Sequence, residues 1–300
     1  MFRDHLQTDV QALVPGCVTE AGATRRTALK AALGVGYAAA TLPVLAQSAI
    51  NTPIQGLSVG EISIDVNGFQ LLAYRSAPLG KTNLPVVLVI SEIFGVHEYI
   101  ADVTHRLAHA GYLAIAPELF TRQGDAHSYS EITKLMTEVI AKVPDAQVLS
   151  DLDATVQWAA AHGGDINKLG VTGFCWGGRQ VWNYSAHNPA VKAGVAWYGR
   201  LVGASTPLTP KHPVDVVGQL AGPVLGLYGG ADTGIPLVTV DQMKAALRTG
   251  SAAAQASQFV VYPDAPHAFH ADYRPSYRKA AAEDGWLRAL AWFKQHGVAA

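Results

Sequence analysis

The chain has 300 residues, 49% of them hydrophobic and 15% charged, with a formal net charge of −1. That composition supplies a large globular core and gives no electrostatic case for nucleic acid or an anionic membrane surface. Two cysteines, Cys17 and Cys175, cannot build a disulfide framework, and no stretch approaches the roughly 20 apolar residues of a membrane-spanning helix.

In chain order, the N-terminus reads as a processing signal. Thr24-Arg25-Arg26-Thr27-Ala28-Leu29-Lys30 has the form of a twin-arginine export motif, followed by a mildly apolar Gly/Ala-rich run from Ala31 to Leu45. Val44-Leu45-Ala46 offers small residues for cleavage. The expected organisation is an export leader over residues 1–46 and a single α/β domain over 47–300, exported to the periplasm; the alternative is a cytoplasmic protein. Loss of the leader would remove Cys17 and leave Cys175 as the sole thiol.

Glu61–Val66 and Phe69–Ala77 flank Asn67-Gly68. Both turn residues tolerate positive φ, so an antiparallel hairpin is predicted. Val86–Ile90 is a continuous apolar run, as expected of a strand buried on both faces. A helix follows over Glu98–Ala110, a strand over Tyr112–Ala116, and helices over Ser130–Val143 and Ala146–His162. Lys168–Cys175 reads as a strand and Gly178–His187 as a helix. Strands are expected at Ala193–Tyr198, Val224–Tyr228 and Phe259–Tyr262, with helices at Pro236–Arg248 and Tyr277–His296. Thr206–Pro213 is Pro-rich and reads as a loop. This alternation predicts a mostly parallel central sheet with helices on both faces.

Gly173-Phe174-Cys175-Trp176-Gly177-Gly178 lies between a strand and a helix. It is the G-x-C-x-G form of a nucleophile elbow, with Cys where Ser usually stands. Cys175 is therefore the candidate nucleophile, placed where the helix N-terminus favours a thiolate, and the Trp176 N–H points where an oxyanion would form. Asp232 and His267 each follow a predicted strand. The order Cys175, Asp232, His267 is the nucleophile–acid–base order of the α/β-hydrolase fold, with His267 as base and Asp232 as its orienter.

With these residues in view, the chain resembles the dienelactone hydrolase family, also called carboxymethylenebutenolidases, from about Leu57 to Phe293. Ser91-Glu92-Ile93-Phe94-Gly95-Val96 is similar to the family's Glu-Ile-Phe-Gly stretch, and Pro117-Glu118-Leu119-Phe120-Thr121-Arg122-Gln123 to a second segment ending in an arginine. The resemblance implies that Glu92 helps take the Cys175 proton, that Ile93 supplies the second oxyanion-hole amide, and that Arg122 meets a substrate carboxylate. Beside a thiol, the Glu92 carboxylate would also oppose thiolate formation and restrain it until substrate arrives. The family's type members carry a second arginine four residues after the histidine; here that position is Ala271, and Arg274 lies nearby. Tyr198 is a candidate pocket residue.

The expected activity is hydrolysis of a small lactone or ester, with or without a carboxylate on the substrate, by a monomer that uses no cofactor and no metal. His105 and His109 share one helical face but have no evident third ligand. His97, His127 and His212 are expected in surface loops. An acyltransferase or thioesterase with the same triad, or a non-catalytic binder of small ligands, are the alternatives.

Overall fold

The structure is a computed structural model that describes residues 50–299. The predicted leader, residues 1–46, and Cys17 lie outside those residues. Eight strands form one sheet: β1 (Leu57–Val66), β2 (Phe69–Pro78), β3 (Leu84–Ile90), β4 (Leu113–Pro117), β5 (Gly164–Phe174), β6 (Val191–Trp197), β7 (Val224–Gly229) and β8 (Gln258–Tyr262), in the order β1-β2-β4-β3-β5-β6-β7-β8.

The hairpin forms as its turn chemistry dictates. Asn67 and Gly68 both have positive φ, 54° and 89°, as a two-residue type I′ connection requires, and Val66 pairs with Phe69. β2 pairs antiparallel with β4, and from β4 to β8 every pairing is parallel. All seven residues of β3 are buried, the consequence of a central position covered on both faces.

Seven α-helices pack around this sheet among the described residues: α1 (Glu98–His109), α2 (Ile132–Glu138), α3 (Asp145–Ala161), α4 (Trp176–His187), α5 (Leu237–Leu247), α6 (Ala252–Ala256) and α7 (Lys279–Gln295). The helix expected over Ser130–Val143 is broken. Val139 leaves helical geometry at φ −119°, ψ −68°, with its side chain fully buried, and a short 3-10 turn follows over Ile140–Lys142. Sequence reading missed α6, one turn capped by Ser251, whose Oγ accepts the Ala254 N–H at 3.1 Å. None of the described helices is long and apolar enough to cross a membrane.

The sheet order positions the site. β4 lies to one side of β3 and β5 to the other, so the order reverses between β3 and β5, and ligands of open α/β sheets gather beyond the carboxyl ends of strands at such a switch. Ile90 is in register with Gly173. The residues that leave β3, from Ser91 to Ile93, therefore emerge beside Cys175. β7 and β8 are likewise neighbours, with Gly229 in register with Tyr262, so the loops carrying Asp232 and His267 start side by side.

Candidate active site

Cys175 caps the N-terminus of α4 at φ 55°, ψ −114°, a strained backbone for a residue with a side chain. Close packing of backbone around the turn makes it possible. A Cβ on Gly177 would sit 2.3 Å from the Ile90 carbonyl oxygen, and one on Gly178 would sit 2.4 Å from that of Trp197. Glycine at these places lets the start of α4 rest directly on β3 and β6. The Cys175 N–H donates to the Trp197 carbonyl at 3.0 Å, and the Cys175 carbonyl accepts from the Arg179 N–H. Trp176 opens α4, so its N–H belongs to the first turn, where intrahelical acceptors are lacking.

His267 and Asp232 meet through Nδ1 and Oδ2 at 2.7 Å, both residues being buried. Asp232 is fixed in turn, because its Oδ1 accepts the N–H groups of Gly234 (2.9 Å) and Ile235 (3.2 Å). Burial works against a charged imidazole, but Cys175 and then Asp232 outweigh it and raise His267 to about 10. The Nε2 atom is buried without a hydrogen-bond partner of ordinary geometry; Cys175 is the nearby group whose charge acts on the ring. The adjacent Ala268 has φ 58°. Three residues on, His270 behaves oppositely: burial, then Arg106, holds it well below the usual range, and its Nδ1 is 2.6 Å from the Tyr99 hydroxyl.

Glu92 sits at the head of the loop after β3 and lines a small cavity together with Cys175, Phe174, Tyr198, Ala268, Ala271 and Arg274. The enclosed space holds about one water molecule. Oε1 of Glu92 accepts from the Tyr273 hydroxyl at 2.7 Å and lies 2.8 Å from His97 Nε2. Arg274 Nε donates to the same Tyr273 oxygen at 3.0 Å, with its guanidinium over the Phe94 ring. Burial pushes the carboxyl up, but His97, then Arg274 and Tyr273, more than offset it, and the net shift is downward. Glu92 is therefore an ionised carboxylate sharing a cavity with a thiol. Tyr198, with φ 38°, is buried edge-on to His267 at 5.1 Å. Burial, then Glu92 and Cys175, holds its phenol protonated.

The structure thus brings together Cys175, Asp232, His267, Glu92, Tyr198 and Arg274. Arg122 is not brought to the cavity. Its guanidinium grips Asp151 of α3 through two hydrogen bonds, 2.5 and 2.8 Å, and lies 3.9 Å over the Phe69 ring. Asp151 is fully buried, so this arginine neutralises an interior carboxylate. Two of the three histidines expected at the surface are also corrected: His97 and His212 are buried, and His127 is partly buried beside Glu118. His105 bonds Tyr74, and His109 bonds the Pro53 carbonyl. Sequence reading missed His97 and Tyr273. The only available signals were their closeness in sequence to Glu92 and Arg274, and nothing in the chain announces that Tyr273 meets a residue 181 positions away.

Residues 71–297 match the model of the dienelactone hydrolase family. A protein of Methylorubrum extorquens named "Putative carboxymethylenebutenolidase" is 57% identical over 277 residues, 92% of this chain and 94% of that protein. A relative of the same name from Salmonella typhimurium is 54% identical over 87% of this chain and 96% of its own length. Among solved structures, a "Putative Dienelactone Hydrolase" from Klebsiella pneumoniae is similar with a TM-score of 0.78 and 55% identity, covering 80% of this chain and 99% of that one.

Proposed function

The chain belongs to the dienelactone hydrolase family, and from that premise we propose that it hydrolyses a small lactone or carboxylic ester through an acyl-cysteine intermediate on Cys175. The observation that carries this reading is the 2.7 Å contact between His267 and Asp232, with Cys175 the leading charge that raises the imidazole.

In the first half-reaction Glu92 takes the Cys175 proton as substrate enters, the sulfur attacks the substrate carbonyl carbon, and the carbonyl π electrons move onto oxygen. The N–H groups of Ile93 and Trp176 receive that oxyanion. As the intermediate collapses, the ester C–O bond breaks and His267 gives its proton to the departing alkoxide. In a lactone that alkoxide stays attached to the acyl chain. Water then attacks the thioester carbonyl while His267 takes its proton, the C–S bond breaks to release the acid, and the departing sulfur recovers its proton from Glu92.

Glu92 also acts before this cycle. A carboxylate in the cavity opposes ionisation of the thiol by like-charge repulsion, so the resting sulfur is restrained until substrate shields or displaces Glu92. Equal rates of thiol alkylation across pH in the parent and Glu92→Gln would sink this restraint. Ala271 stands where the resemblance expects an arginine, and Arg274 is the cation that reaches the cavity; it is the proposed partner for a substrate carboxylate. The enzyme is further proposed to be exported through its twin-arginine leader. A reporter fused after residue 46 that stays cytoplasmic would argue against export.

The deciding experiment measures hydrolysis of p-nitrophenyl acetate and of a panel of lactones by the parent and by Cys175→Ala. Loss of turnover with the alanine variant, and a thioester-linked acyl group trapped on the parent at acid pH, are expected. Undiminished turnover by Cys175→Ala would overturn the reading.

A further inference from the structure

Glu118 follows β4 directly and so comes level with the loop that leaves the neighbouring strand β3. It is 8% exposed and is not among the cavity-lining residues. Its Oε2 accepts the Val96 N–H at 2.7 Å. Gly95 faces the same carboxylate at φ 75°, and a Cβ there would lie 2.7 Å from both carboxylate oxygens. On another side His127 Nε2 stands 3.5 Å from Oε2, carried by a 3-10 turn, Ala126–Ser128, that Asp125 caps. Burial disfavours a charged His127, but Glu118 outweighs burial and raises it.

Elsewhere the loop is held through Glu92, bonded to Tyr273 and His97, and through Arg274 over Phe94, while Glu118 holds the backbone at Gly95 and Val96. The loop's internal bonds are long, Gly95 N–H to the Glu92 carbonyl at 3.4 Å and His97 N–H to the Gly95 carbonyl at 3.2 Å, and His97 caps α1 without a side-chain hydrogen bond. Yet this loop carries Ile93, whose amide must stand at a fixed place over Cys175. Oxyanion donors act through preorganisation, and a displacement of about 1 Å costs on the order of 10²-fold in rate.

We infer that Glu118 is a positioning residue for the oxyanion hole: by holding Val96 and closing on Gly95, it fixes the loop that presents the Ile93 N–H to the developing oxyanion. The inference rests on the acyl-cysteine reading above. It also gives the left-handed Gly95 a reason, since any larger residue would push the carboxylate off the loop.

The experiment compares two reactions of Cys175 in the full chain. Ester hydrolysis needs the oxyanion hole. Alkylation by iodoacetamide does not, because the sulfur forms an S–C bond as the C–I bond breaks and iodide leaves, with no charge placed on oxygen. Glu118→Ala is expected to lower kcat by about 10- to 100-fold with KM changed by less than about threefold and the alkylation rate unchanged. Glu92 stays put because Tyr273 holds it from a different loop. Glu118→Gln, which keeps an acceptor for Val96, is expected to recover most of the rate. Gly95→Ala, a second way of parting loop from carboxylate, should repeat the alanine pattern and serves if Glu118→Ala does not fold. An unchanged kcat in both loop variants, or hydrolysis and alkylation falling together, overturns the inference. Persistent hydrolysis by Cys175→Ala would instead remove the reading beneath it.

Discussion

His267 Nδ1 lies 2.7 Å from Oδ2 of Asp232, and Asp232 spends its other oxygen on the N–H groups of Gly234 and Ile235. The carboxylate can therefore turn neither toward solvent nor away from the ring, and the imidazole keeps Nε2 as the atom left to exchange a proton. Asp232→Asn preserves the shape but presents an amide that can donate to Nδ1 and favour the wrong tautomer. Turnover of a reactive ester should fall by about 10²- to 10⁴-fold. A loss below tenfold would remove Asp232 from the chemistry.

The same pair sets a pH dependence of stability. His267 is raised to about 10 in the folded protein, above its unfolded value of about 6.5. A raised basic group contributes stability that is fully present below the unfolded value and is lost as pH rises through the folded one. The melting-temperature advantage of the parent over His267→Gln should thus be greatest near pH 6 and shrink toward pH 10. Glu92, held low, has the opposite sign: its contribution is present above the ordinary carboxylate range and fades as acid titrates it. A constant gap between parent and His267→Gln across pH 6 to 10 would contradict the assignment of the raised imidazole.

Local signals in the chain reach as far as backbone geometry and no further. Asn67-Gly68 prescribes its own turn, Val86–Ile90 its burial, and Gly173, Gly177 and Gly178 the elbow, because each rests on residues adjacent in sequence. The places of Cys175, Asp232 and His267 were legible for the same reason: each is tied to a strand end, and Asp232 and His267 meet at 2.7 Å. Arg122 was not legible. Its partner Asp151 lies 29 residues on in a different element, and an arginine that neutralises a buried carboxylate has the same letter as one awaiting a ligand. His97 and Tyr273 failed likewise, because their roles exist only once α1 and the segment after β8 converge on Glu92.

Arg122 pairs with Asp151 whereas Arg274 lines the cavity, and the proposed assignment of carboxylate binding to Arg274 can be measured. Arg122→Ala leaves Asp151 charged and buried, a loss typically of about 3–5 kcal/mol, so a fall in melting temperature is expected with KM little changed for carboxylate-bearing and neutral esters alike. Arg274→Ala should do the reverse for substrates that carry a carboxylate, raising KM by roughly tenfold or more relative to neutral ones, since a charge-assisted hydrogen bond is worth about 1.5–3 kcal/mol. A carboxylate-selective KM defect in Arg122→Ala would reinstate it as the recognition residue.

Strain at Cys175 leads to a prediction about stability instead of rate. With φ 55° and ψ −114°, any Cβ at this position costs on the order of 1–3 kcal/mol, a cost borne in the native state for the sake of lifting the sulfur above the sheet. Elsewhere in a folded chain glycine is less stable than alanine by roughly 0.5–1 kcal/mol, because its unfolded state is freer. At Cys175 the order should invert. Cys175→Gly sheds the clashing Cβ whereas Cys175→Ala keeps it, so the glycine variant is expected to unfold at higher denaturant concentration than the alanine variant, with an unchanged denaturant slope. If alanine proves the more stable, the elbow is not under strain, and the glycines around it serve packing alone.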